Sequence, residues 1–251
     1  VIDRTQIPAV ILIDSQMGEN IGASTRAMLN CGLDELRLVR PRNGWPDPAA
    51  EAMSVGALDK IQPVQVYETT AAAIADCHFV LATTARTRDM VKPVYTARTA
   101  SAELVRRAAT GQKTAILFGP ERTGLDNDDA TLAHGLVTIP LNPDFSSLNL
   151  GQAVLLLAYE WSQQLIIQPH SKPQKITPDT LPVSHEKLVE MFERLENELE
   201  SHHFFRTEGQ KPTMIRNLRN MLLRAQMTDQ EVRTFHGIIT ALTGNKKSKE
   251  E

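Results

Sequence analysis

The sequence predicts an α/β fold: a mostly parallel sheet with helices on both faces, followed by a small all-helical module. Three observations predict it. Short apolar runs alternate with helical patterns over the first two-thirds of the chain. Most of these runs are continuous and β-branched, as in strands buried on both faces. A proline-rich stretch then divides this region from a purely helical pattern.

The expected strands are Ala9–Asp14, Glu35–Val39, His78–Thr83, Thr114–Gly119 and Leu136–Pro140, with a weaker one at Val64–Tyr67. Helical patterns intervene at Gly22–Cys31 (closed by Gly32), Ala49–Gly56, Thr70–Ala75, Ser101–Ala109 and Leu150–Gln164. This βαβα rhythm is that of a parallel sheet. From Gln168 to Val183 there are four prolines in sixteen residues, which reads as a linker. An acidic amphipathic helix then begins with Ser184 as its N-cap. A second helix is expected over Thr213–Arg224 and a third over Thr228–Leu242, with Thr228 as cap. The expected organisation is therefore a domain over 1–167, a linker over 168–183 and a helical module over 184–251. The tail NKKSKEE is of low complexity, as frayed ends are.

Composition narrows the function. At 251 residues, the chain is long enough for one good core, or for one core plus a small appendage. A net charge of −3 argues against a protein that coats nucleic acid non-specifically, though not against a local basic surface. No apolar run reaches the roughly 18 residues that span a bilayer. The start VIDRTQIPAVILID lacks the basic n-region and cleavage site of a signal peptide. The two cysteines, Cys31 and Cys77, sit in apolar contexts, as buried thiols in a reducing cytoplasm do. A G-x-G-x-x-G turn and a Walker A run are both absent. No histidine shows ligand spacing with Cys or carboxylate, so no metal is expected, and covalent catalysis by either cysteine is not expected.

Three segments rich in Gly, Asn, Ser and charge each follow an expected strand. They are Glu19-Asn20-Ile21-Gly22-Ala23-Ser24-Thr25-Arg26, then Phe118-Gly119-Pro120-Glu121-Arg122-Thr123-Gly124-Leu125, then Ile139 to Leu150. Ligands of open parallel sheets bind outside the carboxyl ends of the strands, so the three should converge. Gly22 allows the first helix to approach another backbone or a phosphate. Ser147 or Asn149 is a natural N-cap for the helix that follows.

Together the segments resemble the SpoU branch of the SPOUT RNA methyltransferases. That family carries an Asn…Arg helix start, a Phe-Gly-x-Glu-x-x-Gly-Leu loop and a Ser-Leu-Asn run entering a helix. The resemblance covers about residues 8–165. It implies a deep trefoil knot, a homodimer, and S-adenosylmethionine as methyl donor to a ribose 2′-hydroxyl. It places Asn20, Arg26, Glu121, Ser147 and Asn149 in the catalytic motifs. It lines the cofactor pocket with Thr83, Thr84 and Ala85, with Gly119, Pro120 and Gly124, and with Ile139, Leu141, Ser147 and Leu148. The runs TTARTR, FGPERTGLDNDD and NPDFSSLNLGQAVLLLAYE look like the TrmJ-type sub-family, which methylates tRNA at position 32 of the anticodon loop. Phe145 stands where some relatives carry Tyr.

The resemblance makes Arg26 a general base; the alternative is a charged clamp on the adjacent phosphate and the developing alkoxide. A guanidinium keeps its proton to about pH 12 or beyond, which favours the clamp. Asn20 and Ser147 would orient Arg26 or the ribose, Asn149 would shape the helix start, and Glu121 would accept backbone N–H bonds. Arg86, Arg88 and Arg122 either bind phosphate or pair with carboxylates. In the C-terminal module, Arg206, Lys211, Arg216, Arg219 and Arg224 face a single acid, Glu208, over residues 202–224. Arg216 and Arg219 share a helix face and are RNA-contact candidates. Two rival readings remain open: a ribosomal RNA substrate, and a non-catalytic RNA-binding factor.

Overall fold

The structure is a computed structural model that describes residues 7–84, 90–145, 147–167, 181–205 and 209–244. Seven strands form one sheet: β1 (Ala9–Ile13), β2 (Leu36–Val39), β3 (Gln65–Tyr67), β4 (Phe79–Thr83), β5 (Val94–Thr96), β6 (Thr114–Phe118) and β7 (Gly135–Thr138). Their order is β3-β2-β1-β6-β4-β7-β5, and every pairing is parallel. The six expected strands are all present, with ends shifted by a residue or two. The seventh, β5, was not expected. It is three residues long, follows Pro93 and lies at the edge with Val94 exposed, so it has no buried apolar run to betray it.

Strand alternation sorts the core into two layers. Val10, Leu12, Leu36, Leu38, Phe79, Leu81, Ile116 and Phe118 face one side of the sheet. That side is covered by helices α1 (Gly18–Asn30), α2 (Pro48–Ser54), α4 (Ala97–Ala108) and α6 (Leu150–Ile167). Ala9, Ile11, Ile13, Val80, Ala82, Ala115 and Leu117 face the other side, under α3 (Thr70–Ala73) and α5 (Asn127–Thr131). The continuous apolar strands are thus buried on both faces, as their composition requires. Short α5 escaped notice in the sequence because N-D-D-A-T has no apolar period; its N-cap is Asp126, which accepts from the Asp129 N–H at 2.6 Å.

Helix α1 begins four residues before the expected start, so Gly22 lies inside it. A Cβ there would stand 2.3 Å from the Ala50 carbonyl of α2. The close approach that glycine permits is therefore to another backbone. Of the two thiols, Cys77 is buried and Cys31 is half-buried.

The last three helices, α7 (His185–Ser201), α8 (Lys211–Arg224) and α9 (Asp229–Thr243), surround a small core of Val183, Leu188, Met191, Phe192, Leu222, Leu223, Met227 and Val232. Thr228 caps α9 in a reciprocal capping box with Glu231. Ser184 is the N-cap residue of α7, as expected, but its side chain makes no cap hydrogen bond. Most of the expected linker, residues 168–180, and the tail 245–251 lie outside the described residues. Among the described residues no helix is long and apolar enough to cross a membrane.

The helical module is docked on the domain. α7 packs on α3 and α8 on α5. The backbone N–H groups of His185 and Glu186 donate to the carbonyls of Cys77 (2.8 Å) and Ala75 (3.1 Å). The His185 ring is fully buried, with neither nitrogen hydrogen-bonded. It meets the His134 ring edge-on at 5.8 Å. His134 in turn accepts the Val80 N–H at 3.1 Å. Burial, then the nearby charges of Lys92 and Arg219, lowers His185 to about 3, and burial holds His134 well below its ordinary value.

This dock gives a pH prediction. The unfolded chain takes up a proton at His185 below about pH 6.5, whereas the folded chain resists until about pH 3. The contribution of His185 to stability is therefore level above pH 6.5 and falls below it. The loss from His185 is about 2 kcal/mol at pH 5, at 1.36 kcal/mol per pH unit. Denaturant unfolding at pH 7.5 and pH 5 should show this loss, and His185→Leu should flatten the slope by one proton's worth. An unchanged slope in the variant would overturn this account.

Candidate active site

Strands β4, β6 and β7 are neighbours, so the loops leaving their carboxyl ends converge. They enclose a cleft of about 310 Å³, within the range of small-molecule sites. Thr83 and Thr84 line it from β4, and Gly119, Pro120 and Gly124 from the loop after β6. Ile139, Leu141, Ser147 and Leu148 line it from the loop after β7. Every expected pocket residue within the described part is thus in the wall; Ala85, Arg86 and Arg88 lie outside the described residues. Glu121, Arg122, Thr123 and the core residues Phe118 and Val137 also contribute.

The β6 loop turns back tightly on itself. A Cβ on Gly119 would lie 2.1 Å from the Leu125 nitrogen, so only glycine fits. Gly124 takes a left-handed φ of +65°, which glycine adopts without strain. The Gly124 N–H closes the turn on the Pro120 carbonyl at 2.8 Å.

The three motifs are joined by side-chain hydrogen bonds. Asn20 Nδ2 donates to Glu121 Oε1 at 2.7 Å. Asn149 Nδ2 donates to Asn20 Oδ1 at 2.9 Å. Asn149 Oδ1 accepts the Gly151 N–H at 2.9 Å, so Asn149 is the cap of α6. Glu121 Oε2 accepts the Gln16 N–H at 3.2 Å, which is the backbone bond expected of it. Asn20 is buried, and the chain of bonds satisfies both ends of its amide.

A second tie was not legible in sequence. Asp14 and Arg40, at the ends of β1 and β2, take left-handed φ angles of 49° and 47°. Arg40 donates to Asp14 at 3.0 and 2.9 Å and to Asp129 at 3.2 Å. The hydrogen bond that Arg40 donates to Asp14, and the charges of the two carboxylates, hold the Arg40 pKa above its ordinary value. This clamp sets the direction in which the chain leaves β1 towards Ser15 and Gln16, the partners of Glu121. Non-glycine residues in such conformations cluster at functional sites.

Arg26 is exposed and makes no hydrogen bond or ion pair with any described residue. It does not line the cleft. It stands in a separate groove of about 250 Å³ between α1, α2 and α6, with Met53, Asn149 and Leu155. Ser147 lines the cleft and is not in that groove, and it makes no hydrogen bond with Arg26.

The basic candidates differ in their surroundings. Arg122 is exposed and without a partner among the described residues. Arg216 reaches Asp128 at 3.3 Å on the surface. Arg219 is half-buried, holds Glu196 through two bonds of 2.6 and 2.8 Å, and lies over the Phe192 ring. Its geometry is that of a brace between α8 and α7. Among the described residues, no group of three or more His, Cys, Asp or Glu is placed to hold a metal ion.

Residues 8–159 match the model of the SpoU rRNA Methylase family. The chain belongs to this family. Over 239 residues it is 34% identical to a tRNA (cytidine/uridine-2'-O-)-methyltransferase TrmJ of Sodalis glossinidius, covering 95% of this chain and 92% of that protein. It superposes on the crystal structure of TrmJ from Z. mobilis ZM4 with a TM-score of 0.83 and 44% identity, covering 94% and 99% of the two chains. At 22% identity, the SpoU methyltransferase AviRb from Streptomyces viridochromogenes, in complex with AdoMet, shares the fold (TM-score 0.52). The SpoU family match spans the sheet and reaches into α6; the TrmJ likeness extends through the helical module as well.

Because Asn149 both caps α6 and holds Asn20, its two roles can be separated. Asn149→Ala should cost about 1–3 kcal/mol, from the lost cap and the unpaired buried amide. Asn149→Asp keeps the cap oxygen but not the donor to Asn20, and should recover about half of that loss. Denaturant unfolding of the two variants checks this; equal losses would show that the cap contributes nothing.

Proposed function

We propose that this protein transfers a methyl group from S-adenosylmethionine to a ribose 2′-hydroxyl of tRNA, at a pyrimidine nucleotide, and that the target is position 32 of the anticodon loop. The observation that carries the reading is the joining of three SpoU motifs into one hydrogen-bonded unit beside a cleft of ligand size. The likeness to the Sodalis tRNA (cytidine/uridine-2'-O-)-methyltransferase supports the choice of tRNA and of cytidine or uridine. The cleft fits the donor: backbone groups of the glycine loop can read adenine and ribose, and Ile139, Leu141 and Leu148 can hold the base.

When bound, the donor supplies a sulfonium methyl as electrophile. The protein's part is positioning and charge. Glu121, Asn20 and Asn149 fix the loop against the helix starts, so the cleft is rigid before the substrate arrives. Arg26, exposed and unpaired, is available to the phosphate next to the target ribose and to the alkoxide that develops as the 2′ O–H bond breaks. The proton then leaves to that phosphate or to water.

Arg26 lies outside its own chain's cleft, so we infer that it serves the cleft of a second copy in a homodimer. The exposed stripe of Leu155, Leu156 and Tyr159 on α6, together with exposed Met53 beside Arg26, supports that contact. The order β6-β4-β7, with α6 carried back onto α1, supports the trefoil knot expected of the family. We further propose residues 1–167 as the catalytic domain and 184–251 as an RNA-contacting module, with Arg122 and Arg216 as phosphate contacts.

Arg26→Ala should lower single-turnover methylation of tRNA by at least about 100- to 1,000-fold while leaving S-adenosylhomocysteine affinity within about twofold. A pH–rate limb near neutrality that disappears with Arg26 would make it a base and overturn the clamp. Mixing Arg26→Ala chains with Gly119→Val chains should restore activity if Arg26 works across the dimer; no restoration would place it in its own subunit's site. Mapping 2′-O-methyls on total tRNA and rRNA distinguishes the two substrates, and methylation of rRNA alone would overturn the tRNA assignment.

A further inference from the structure

The turn between Leu141 and Ser147 carries an aromatic side chain that the proposed chemistry has not used. Phe145 is 72% exposed, although the residues on either side of its turn, Leu141 and Ser147, line the cleft. Phe145 itself is not in the cleft wall; the turn that carries it leaves the wall at Leu141. The turn is a fixed one. The Phe145 N–H donates to the Asn142 carbonyl at 3.0 Å, and the Asp144 N–H donates to Asn142 Oδ1 at 3.0 Å. A single exposed apolar side chain needs no explanation. A phenyl ring held on a pinned turn beside a cleft calls for one.

We propose that Phe145 is a stacking platform for a nucleobase of the RNA, at or next to the methylated nucleotide, and thereby a specificity-determining residue. The inference rests on the RNA-methylating reading above. To offer its 2′-hydroxyl to a donor in a cleft, a nucleotide must turn out of its single-stranded stack, and the base so released is held by stacking on an aromatic face. Arg122 lines the same cleft from the opposite loop and is exposed without a partner among the described residues. A ring for the base and a guanidinium for the phosphate thus stand on two loops of one cleft. That pairing fits a nucleotide better than a peptide or a lipid. The ring tolerates any base, because every base has a π-face, so Phe145 selects for an unstacked nucleotide rather than for a sequence.

The test uses the full chain, a tRNA substrate and four variants: Phe145→Ala, Phe145→Leu, Phe145→Tyr and Phe145→Trp. Alanine and leucine should raise the KM for tRNA by about 5- to 150-fold. Tyrosine and tryptophan should stay within about threefold of the parent. S-adenosylhomocysteine affinity and the oligomeric state should not change in any of them. Three results would overturn the proposal: an unchanged KM in Phe145→Ala, full activity in Phe145→Leu, or a loss of self-association that makes Phe145 a subunit contact. If the parent protein methylates no RNA, the functional reading itself fails; if the parent is active and the variants match it, only the stacking role fails.

Discussion

The site depends on one buried amide. Asn20 accepts from Asn149 and donates to Glu121, so a single side chain holds together a helix, a glycine loop and the cap of a second helix. Each partner has another duty: Glu121 fixes the Gln16 backbone and Asn149 starts α6. Three of the residues that mark the family thus hold one another in place. Removing Glu121 or Asn149 leaves the buried Asn20 amide short of a partner, and that penalty favours the joined arrangement.

Around this frame, the fold divides labour between the two faces of the sheet. The long helices α1, α4 and α6 cover one face with a continuous apolar layer. The other face has only the short α3 and α5, and the C-terminal helices complete its cover. The module is thus part of the protection of the sheet as well as a candidate RNA contact. Its removal would uncover Cys77 and His134, so a truncated chain is a poor probe of RNA binding.

What the sequence made legible follows from range. Continuous β-branched runs, glycine loops and the Asn, Glu and Asn of the motifs are local patterns, and all of the expected strands were found from them. Asn149 as a cap is local too. The partnerships are not: Arg40 with Asp14 and Asp129, His134 with the Val80 N–H, and Arg219 with Glu196 join residues 23 to 89 positions apart. Nothing in the spacing of Arg216 and Arg219 distinguishes a surface pair from a half-buried brace. β5 and α5 were missed for a different reason, because each is short and held by its neighbours rather than by its own period. Arg26 was placed on the correct helix, but its separation from the cleft depends on how α6 crosses α1.

The run of opposed charges from Arg216 through Asp128 and Asp129 to Arg40 and Asp14 has a consequence for ionic strength. It leads from the helical module to the chain segment that holds Glu121. Its outermost pair is open to solvent, where about 0.15 M salt screens charges beyond roughly 8 Å and weakens surface pairs further. Added salt would then act twice, displacing phosphate from the protein and loosening the module from the rim of the cleft. The steepness of salt dependence in tRNA binding would therefore exceed what the number of phosphate contacts alone implies.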